Sequence, residues 1–177
     1  MPLLRLFFAQ SVDAHTLLRH AAGQVWGMEA LPASERAPGG KPFFPTLPHC
    51  RFNLSHSGPY ALCALGDREV GADVEVIRPR RPFLPQKVLS AREFAWFQGR
   101  GCRWEDFYTL WTLKEARVKH SGAGLACPPR EISVPLLSPG EGACLDGLCF
   151  TAYAGDGWRA ALCALEPGPG LELLPSP

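Results

Sequence analysis

One stretch constrains this chain more than any other: the run from Trp104 to Gly122, WEDFYTLWTLKEARVKHSG. Trp104, Phe107, Trp111 and Val118 recur at spacings of three, four and seven, which predicts an amphipathic helix ending at Gly122. Glu115 lies four residues after Trp111, on the packed side, where a carboxylate is costly unless something pairs with it. Lys119 follows one turn later on the same face. Taken alone, the two residues fit a common and weak ion pair.

A second acidic cluster lies upstream. VGADVEV, residues 70–76, reads as a strand with Ala72, Val74 and Val76 on one face and Asp73 and Glu75 on the other. Two carboxylates so placed are ~7 Å apart. At an effective dielectric near 20 they repel by roughly 2–3 kcal/mol, which a cation relieves. Asp73 and Glu75 joined by Glu115 make an all-oxygen set suited to a hard divalent ion such as Mg²⁺. The alternative is a strand with a solvated acidic face, which Asp-x-Glu alone favours.

Three blocks carry a resemblance. GKPFFPTLPHCRFNLSHSG (40–58), RFNLSHSGPYALCALGDREVGADVEVIRPRR (51–81) and FYTLWTLKEARVKHSGAGL (107–125) are similar, in this order, to the signature blocks of the Sfp-type 4′-phosphopantetheinyl transferases. The resemblance implies an α+β fold of two similar α/β halves related by a pseudo-twofold. The halves are expected over 1–78 and 79–166, with coenzyme A in the cleft between them and a loose tail over 167–177. An internal echo agrees: ALCAL occurs at 61–65 and again at 161–165.

The resemblance also implies an activity: Mg²⁺-dependent transfer of 4′-phosphopantetheine from coenzyme A to a serine hydroxyl of an apo carrier protein. Adenosine 3′,5′-bisphosphate is the leaving group. Asp73, Glu75 and Glu115 become metal ligands, and Lys119 a donor-binding and catalytic group on the pyrophosphate. Glu115 is also the candidate general base, a role in tension with metal ligation. Lys41 is expected at the adenosine end of coenzyme A, and His56 and Ser55 at its 3′-phosphate. Lys114 is turned ~100° from Glu115 on the helix and is expected in a supporting ion pair. Larger members carry a basic N-terminal segment to which Arg5, Arg19 and Arg36 cannot be matched, so weaker coenzyme A affinity, or a substitute residue, is expected.

Composition narrows the class. The chain has 177 residues, enough for one domain with a sizeable core. A net charge of +1 and short apolar runs argue against nucleic acid and membrane partners. Seven cysteines, with no C-x-x-C pair, favour buried reduced thiols in a cytoplasmic protein over a disulfide framework or a zinc site. Two halves in one chain make a monomer the simplest expectation. The partner implied is an acidic acyl or peptidyl carrier protein, with Arg78, Arg80 and Arg81 either docking it or forming a solvated turn.

Along the chain, residues 2–10 read as a strand, and Ser11 or Asp13 caps a helix with Leu17, Leu18, Ala21, Val25 and Trp26 on its apolar face. His15 and His20 on that helix read as surface residues, and 30–40 as loop. Residues 51–58 read as a short strand running into a loop whose Ser55, His56 and Ser57 suit a phosphate or simple turn chemistry. Residues 59–67 and 68–77 read as a hairpin through Gly66-Asp67. Ser90 and Glu93 form a capping box. Residues 131–135, 144–154 and 157–165 read as strands, the last two joined by Gly155-Asp156-Gly157. Two other functional classes fit parts of the pattern. A non-catalytic carrier-binding module is disfavoured because no acidic position is lost. Another Mg²⁺-dependent nucleotide enzyme leaves SHSG and WTLKEARVK unexplained.

Overall fold

The computed structural model describes residues 3–124 and 127–174. Strand β1 (Leu4–Gln10) opens the chain. Asp13 caps helix α1 (Ala14–Trp26) by accepting from the backbone of His15 and Thr16, and Gly27 closes it in the left-handed conformation. The segment expected to be loop forms a short pair, β2 (Glu35–Arg36) with β3 (Pro42–Phe43). Next come β4 (Arg51–Ser57), β5 (Tyr60–Gly66) and β6 (Gly71–Val76). Helices α2 (Leu84–Val88), α3 (Ala91–Gly99) and α4 (Trp104–Ser121) follow. Strands β7 (Gly142–Leu145), β8 (Leu148–Gly155), β9 (Trp158–Ala164) and β10 (Leu171–Leu173) end it.

These elements make a mixed α+β fold with two four-stranded sheets, β10-β1-β5-β4 and β6-β9-β8-β7. Helix α1 packs Leu17, Leu18 and Ala21 against Phe7, Phe52 and Cys63 of the first sheet. Helix α4 buries Phe107, Leu110, Leu113 and Ala116 with Phe150, Ala161 and Cys163 of the second. Between the sheets, Leu6 and Leu62 meet Val74, Ala160 and Leu162. The two ALCAL segments lie on interior strands of their sheets, β5 and β9, and Cys63 and Cys163 are fully buried. Among the described residues no helix is long and apolar enough to cross a membrane.

The structure departs from the expected elements at several places. The hairpin expected over 59–77 does not form: β5 pairs with β1 and β4, whereas β6 crosses to the other sheet and pairs with β9. The chain passes from the first sheet to the second between Gly66 and Gly71. Residues 129–131 form a 3-10 turn, with no strand over 131–135. Residues 144–154 divide into β7 and β8 at Asp146-Gly147, both at positive φ, 52° and 77°. Within the expected tail, residues 171–173 form β10, which lies parallel to β1 and bonds Glu172 to Arg5, and residues 175–177 lie outside the described residues. One cysteine pair departs from the reduced-thiol expectation: Cys144 and Cys149 face each other across β7 and β8 and are bonded.

Gly71 decides how the second sheet meets α4. A Cβ there would meet Ala116 O at 2.1 Å and His120 N at 2.2 Å, so only glycine lets β6 run this close under the helix. The acidic face of β6 is thereby brought beneath α4.

Candidate active site

The site is built on the edge of β6 that no strand covers among the described residues. Strand β9 occupies one edge. On the other, side chains of β4 stand where a neighbouring strand would be. Ala72 N donates to Asn53 Oδ1 at 2.8 Å, Val74 N to Ser55 Oγ at 3.2 Å and Val76 N to Ser57 Oγ at 3.1 Å. Buried backbone donors require such partners, and alternate residues of β4 supply them. Each serine also donates to the neighbouring carboxylate: Ser55 Oγ to Asp73 Oδ1 at 2.9 Å, and Ser57 Oγ to Glu75 Oε2 at 2.8 Å.

On the acidic face of β6, Asp73 is withdrawn from solvent and Glu75 is partly exposed. Asp73 is 4% exposed. Its Oδ1 lies 2.7 Å from Lys119 Nζ, which also donates to Ser55 Oγ at 2.9 Å. Lys119 thus pairs with Asp73, and among the described residues it makes no ion pair with Glu115. Burial pushes the Asp73 carboxyl above the ordinary carboxylate range; Lys119 and Ser55 draw it back without cancelling that effect, and the Glu75 charge adds to it. Asp73 Oδ2 is buried and has no hydrogen-bond partner among the described residues.

Glu115 is half-buried on α4. Burial raises its carboxyl above the ordinary range, the Asp73 and Glu75 charges raise it further, and Lys119 opposes them. The three carboxylates therefore feel one another across the β6–α4 seam. Carboxyls perturbed by burial and by one another in this way mark a candidate functional site.

The remaining sequence-derived candidates divide. His56 is exposed and, by strand alternation, faces away from Ser55. Ser55 is buried and turned inward to Asp73 and Lys119. Lys41 Nζ is engaged by Glu69 at 2.7 Å, Val70 O at 2.8 Å and His120 O at 3.2 Å, so it closes the C-terminal end of α4. Lys114 does form a supporting ion pair, with Glu93 of α3, whose carboxylate also completes the Ser90 capping box. Arg80 donates to Tyr108 Oη, which donates to Arg78 O, fastening the basic turn to α4.

Two cavities adjoin this seam. One of about 660 Å³ is lined by Lys41, Phe43, Arg51, Glu69 and Ser121 at the C-terminal end of α4. The other, about 390 Å³, brings Glu75 together with Arg80, Arg81, Tyr108 and Trp111. Lys41 also lines a smaller recess with Lys119 and Asn53, which shares Gly39, Pro42 and Gly122 with the first cavity.

Among the described residues no three His, Cys, Asp or Glu side chains enclose a metal by themselves. The donor set nonetheless suits magnesium, which binds through one or two carboxylates and takes its remaining ligands from substrate phosphates and water. Such an ion would relieve both the orphaned Asp73 Oδ2 and the mutual repulsion of the carboxylates.

Sequence reasoning did not single out Asn53, and it gave Ser57 a phosphate or turn role and Glu93 a helix cap rather than the contacts seen here. The alternation of polar residues at 53, 55 and 57 was the available signal, because a strand with one polar face must turn that face to water or to a polar partner.

Comparison with known proteins bears on this geometry. A family model described as the 4′-phosphopantetheinyl transferase superfamily matches residues 69–163, which span β6, α4 and β9. A 4′-phosphopantetheinyl transferase of Bacillus subtilis is 32% identical over 175 residues, covering 90% of this chain and 78% of the relative. The transferase Sfp of Bacillus subtilis strain 168 is 31% identical over 136 residues, 72% of this chain and 61% of that protein. The transferase AcpT of Salmonella typhimurium is 41% identical over 109 residues, 57% of each chain.

Proposed function

The chain belongs to the 4′-phosphopantetheinyl transferase superfamily, and from that premise we propose that it transfers 4′-phosphopantetheine from coenzyme A to a serine of an apo carrier protein. The observation that carries the reading is the meeting of Asp73, Glu75, Glu115 and Lys119 at one seam. In the reaction, the serine oxygen of the carrier forms a bond to the β-phosphorus of coenzyme A. The bond from that phosphorus to the bridging pyrophosphate oxygen breaks, and adenosine 3′,5′-bisphosphate leaves.

Asp73, Glu75 and Glu115 would hold a magnesium ion, whose charge, when bound, neutralises pyrophosphate oxygens. Glu115, its proton affinity raised by burial, takes the proton of the attacking hydroxyl. Lys119 reaches the same ground from α4, and its ammonium stabilises the charge developing on the leaving phosphate. Ser55 holds Asp73 and Lys119 in register. The 660 Å³ cavity beside Lys41 suits the nucleotide end of the donor. His56, exposed on β4, is assigned to the 3′-phosphate. Arg80 and Arg81 favour an acidic carrier at the opposite mouth, next to Glu75. The reading extends to two similar halves related by a pseudo-twofold, supported by the two sheets and the two interior ALCAL strands.

The test is the intact mass of an apo carrier protein after incubation with this chain, coenzyme A and Mg²⁺. A gain of one phosphopantetheine arm is expected. No gain on several carriers that measurably bind the chain would mean a carrier-binding module without catalysis.

A further inference from the structure

The Glu75 carboxylate has a single hydrogen-bond partner among the described residues, the hydroxyl of Ser57. Asp73, by contrast, is held by both Ser55 and Lys119. We propose that Ser57 is a positioning residue that aims the Glu75 carboxylate into the site. This inference rests on the reading of Asp73, Glu75 and Glu115 as ligands of the cation.

The chemistry fixes the direction of the contact. The Val76 N–H can only donate, and it donates to Ser57 Oγ at 3.1 Å. An ionised carboxylate can only accept, so the single hydroxyl proton of Ser57 goes to Glu75 Oε2, 2.8 Å away. The same clamp recurs two residues earlier, where Ser55 Oγ accepts from Val74 N and donates to Asp73. Two serines one strand repeat apart thus hold two carboxylates one strand repeat apart, across the seam between the sheets.

The clamp matters more for Glu75 than for Asp73. A free glutamate side chain has roughly 1.5–2 kcal/mol of rotamer freedom to lose before it can serve as a ligand. Glu75 also faces two competing cations, because Arg80 and Arg81 line the same 390 Å³ cavity. Released from Ser57, the carboxylate would be free to turn toward the arginine side of that cavity. Held by Ser57, it stays beside Asp73. Partners that orient a metal ligand in this way commonly change metal affinity by about 10–100-fold when removed.

The experiment uses the full chain and Mn²⁺ alone, a carboxylate-preferring stand-in for Mg²⁺. Mn²⁺ binding is titrated by calorimetry, and amide exchange at Val76 is followed in metal-free protein. Ser57→Ala is expected to weaken Mn²⁺ by about 10–100-fold and to speed Val76 exchange. Ser57→Thr, which keeps the hydroxyl, is expected to restore both. If Ser57→Ala does not fold, Ser57→Thr against Ser57→Val makes the same comparison in matched shape. Wild-type Mn²⁺ affinity in Ser57→Ala, with faster Val76 exchange and a weakened Glu75→Ala control, would leave Ser57 as a strand-edge cap only and overturn the inference. Wild-type affinity in Glu75→Ala itself would overturn the ligand reading beneath it.

Discussion

Lys114 and Glu93 form the most deeply buried ion pair in the molecule's described part, with side chains 1% and 4% exposed. Lys114 Nζ donates to Glu93 Oε1 at 2.9 Å, Pro129 O at 2.9 Å and Ile132 O at 2.7 Å. One ammonium therefore ties α4 to α3 and to the turn at 129–132. Lys114→Met preserves length and packing but leaves the Glu93 carboxylate without its cation and takes the ammonium donor from Ile132 O, whereas Pro129 O keeps the Ile132 N–H. Breaking one side of a buried pair costs about 3–5 kcal/mol. For a chain of this size each kcal/mol moves the melting temperature by about 2–4 °C, so a fall of roughly 6–20 °C is expected. Removing both charges, in Lys114→Met with Glu93→Gln, is expected to recover much of the loss, because no unpaired ion then remains. Urea unfolding followed by tryptophan fluorescence gives the free energies at constant slope, and the double-mutant cycle gives the coupling. Turnover well below the melting temperature should survive in Lys114→Met, which separates this residue from Glu115 and Lys119. A stability loss below about 1 kcal/mol, the range of a surface pair, would refute the reasoning.

Three further outcomes are expected. Glu115→Gln should lower turnover at least ~100-fold, as when general-base catalysis is lost, without lowering the melting temperature of metal-free protein, since it removes a carboxylate that burial and its neighbours disfavour; full turnover would sink the mechanism. His56→Ala should weaken coenzyme A far more than 3′-dephospho-coenzyme A, and equal losses for the two donors would make His56 merely structural. Glu172 is held below its ordinary range first by its hydrogen bond to Arg5 and then by the attraction between their charges. Its contribution is present above the unfolded carboxylate pKa, about 4.3, and fades as pH falls through the lower folded value. Amide exchange in β10 should therefore accelerate in that acid window before the core opens, and Glu172→Gln should abolish the pH dependence.

Several elements were legible because their signals are local. The helix over 104–121 carries its period within itself and its stop at Gly122, which the structure places at φ 68°. Ser90 and Glu93, three residues apart, form the capping box that their types imply. Gly155-Asp156-Gly157 turns β8 into β9 for an equally local reason. The carboxylates Asp73 and Glu75 were placed on one strand face by alternation alone.

What alternation cannot say is which surface that face meets. It left Asp73 and Glu75 on a face that reads as solvated, and Lys119 beside Glu115. The tertiary structure instead slides β6 under α4 at Gly71, buries Asp73 and hands Lys119 to it. It also breaks the expected hairpin over 59–77, because β6 finds its strand partner in β9 and its polar partners in Asn53, Ser55 and Ser57. The segment Leu171–Leu173 is short and flanked by proline and glycine, and only the open edge of β1 makes a strand of it. A sequence specifies periods, caps and turns through neighbours in the chain. The identity of the partner across a sheet edge or helix face depends on residues far away, and here those distant pairings build the site.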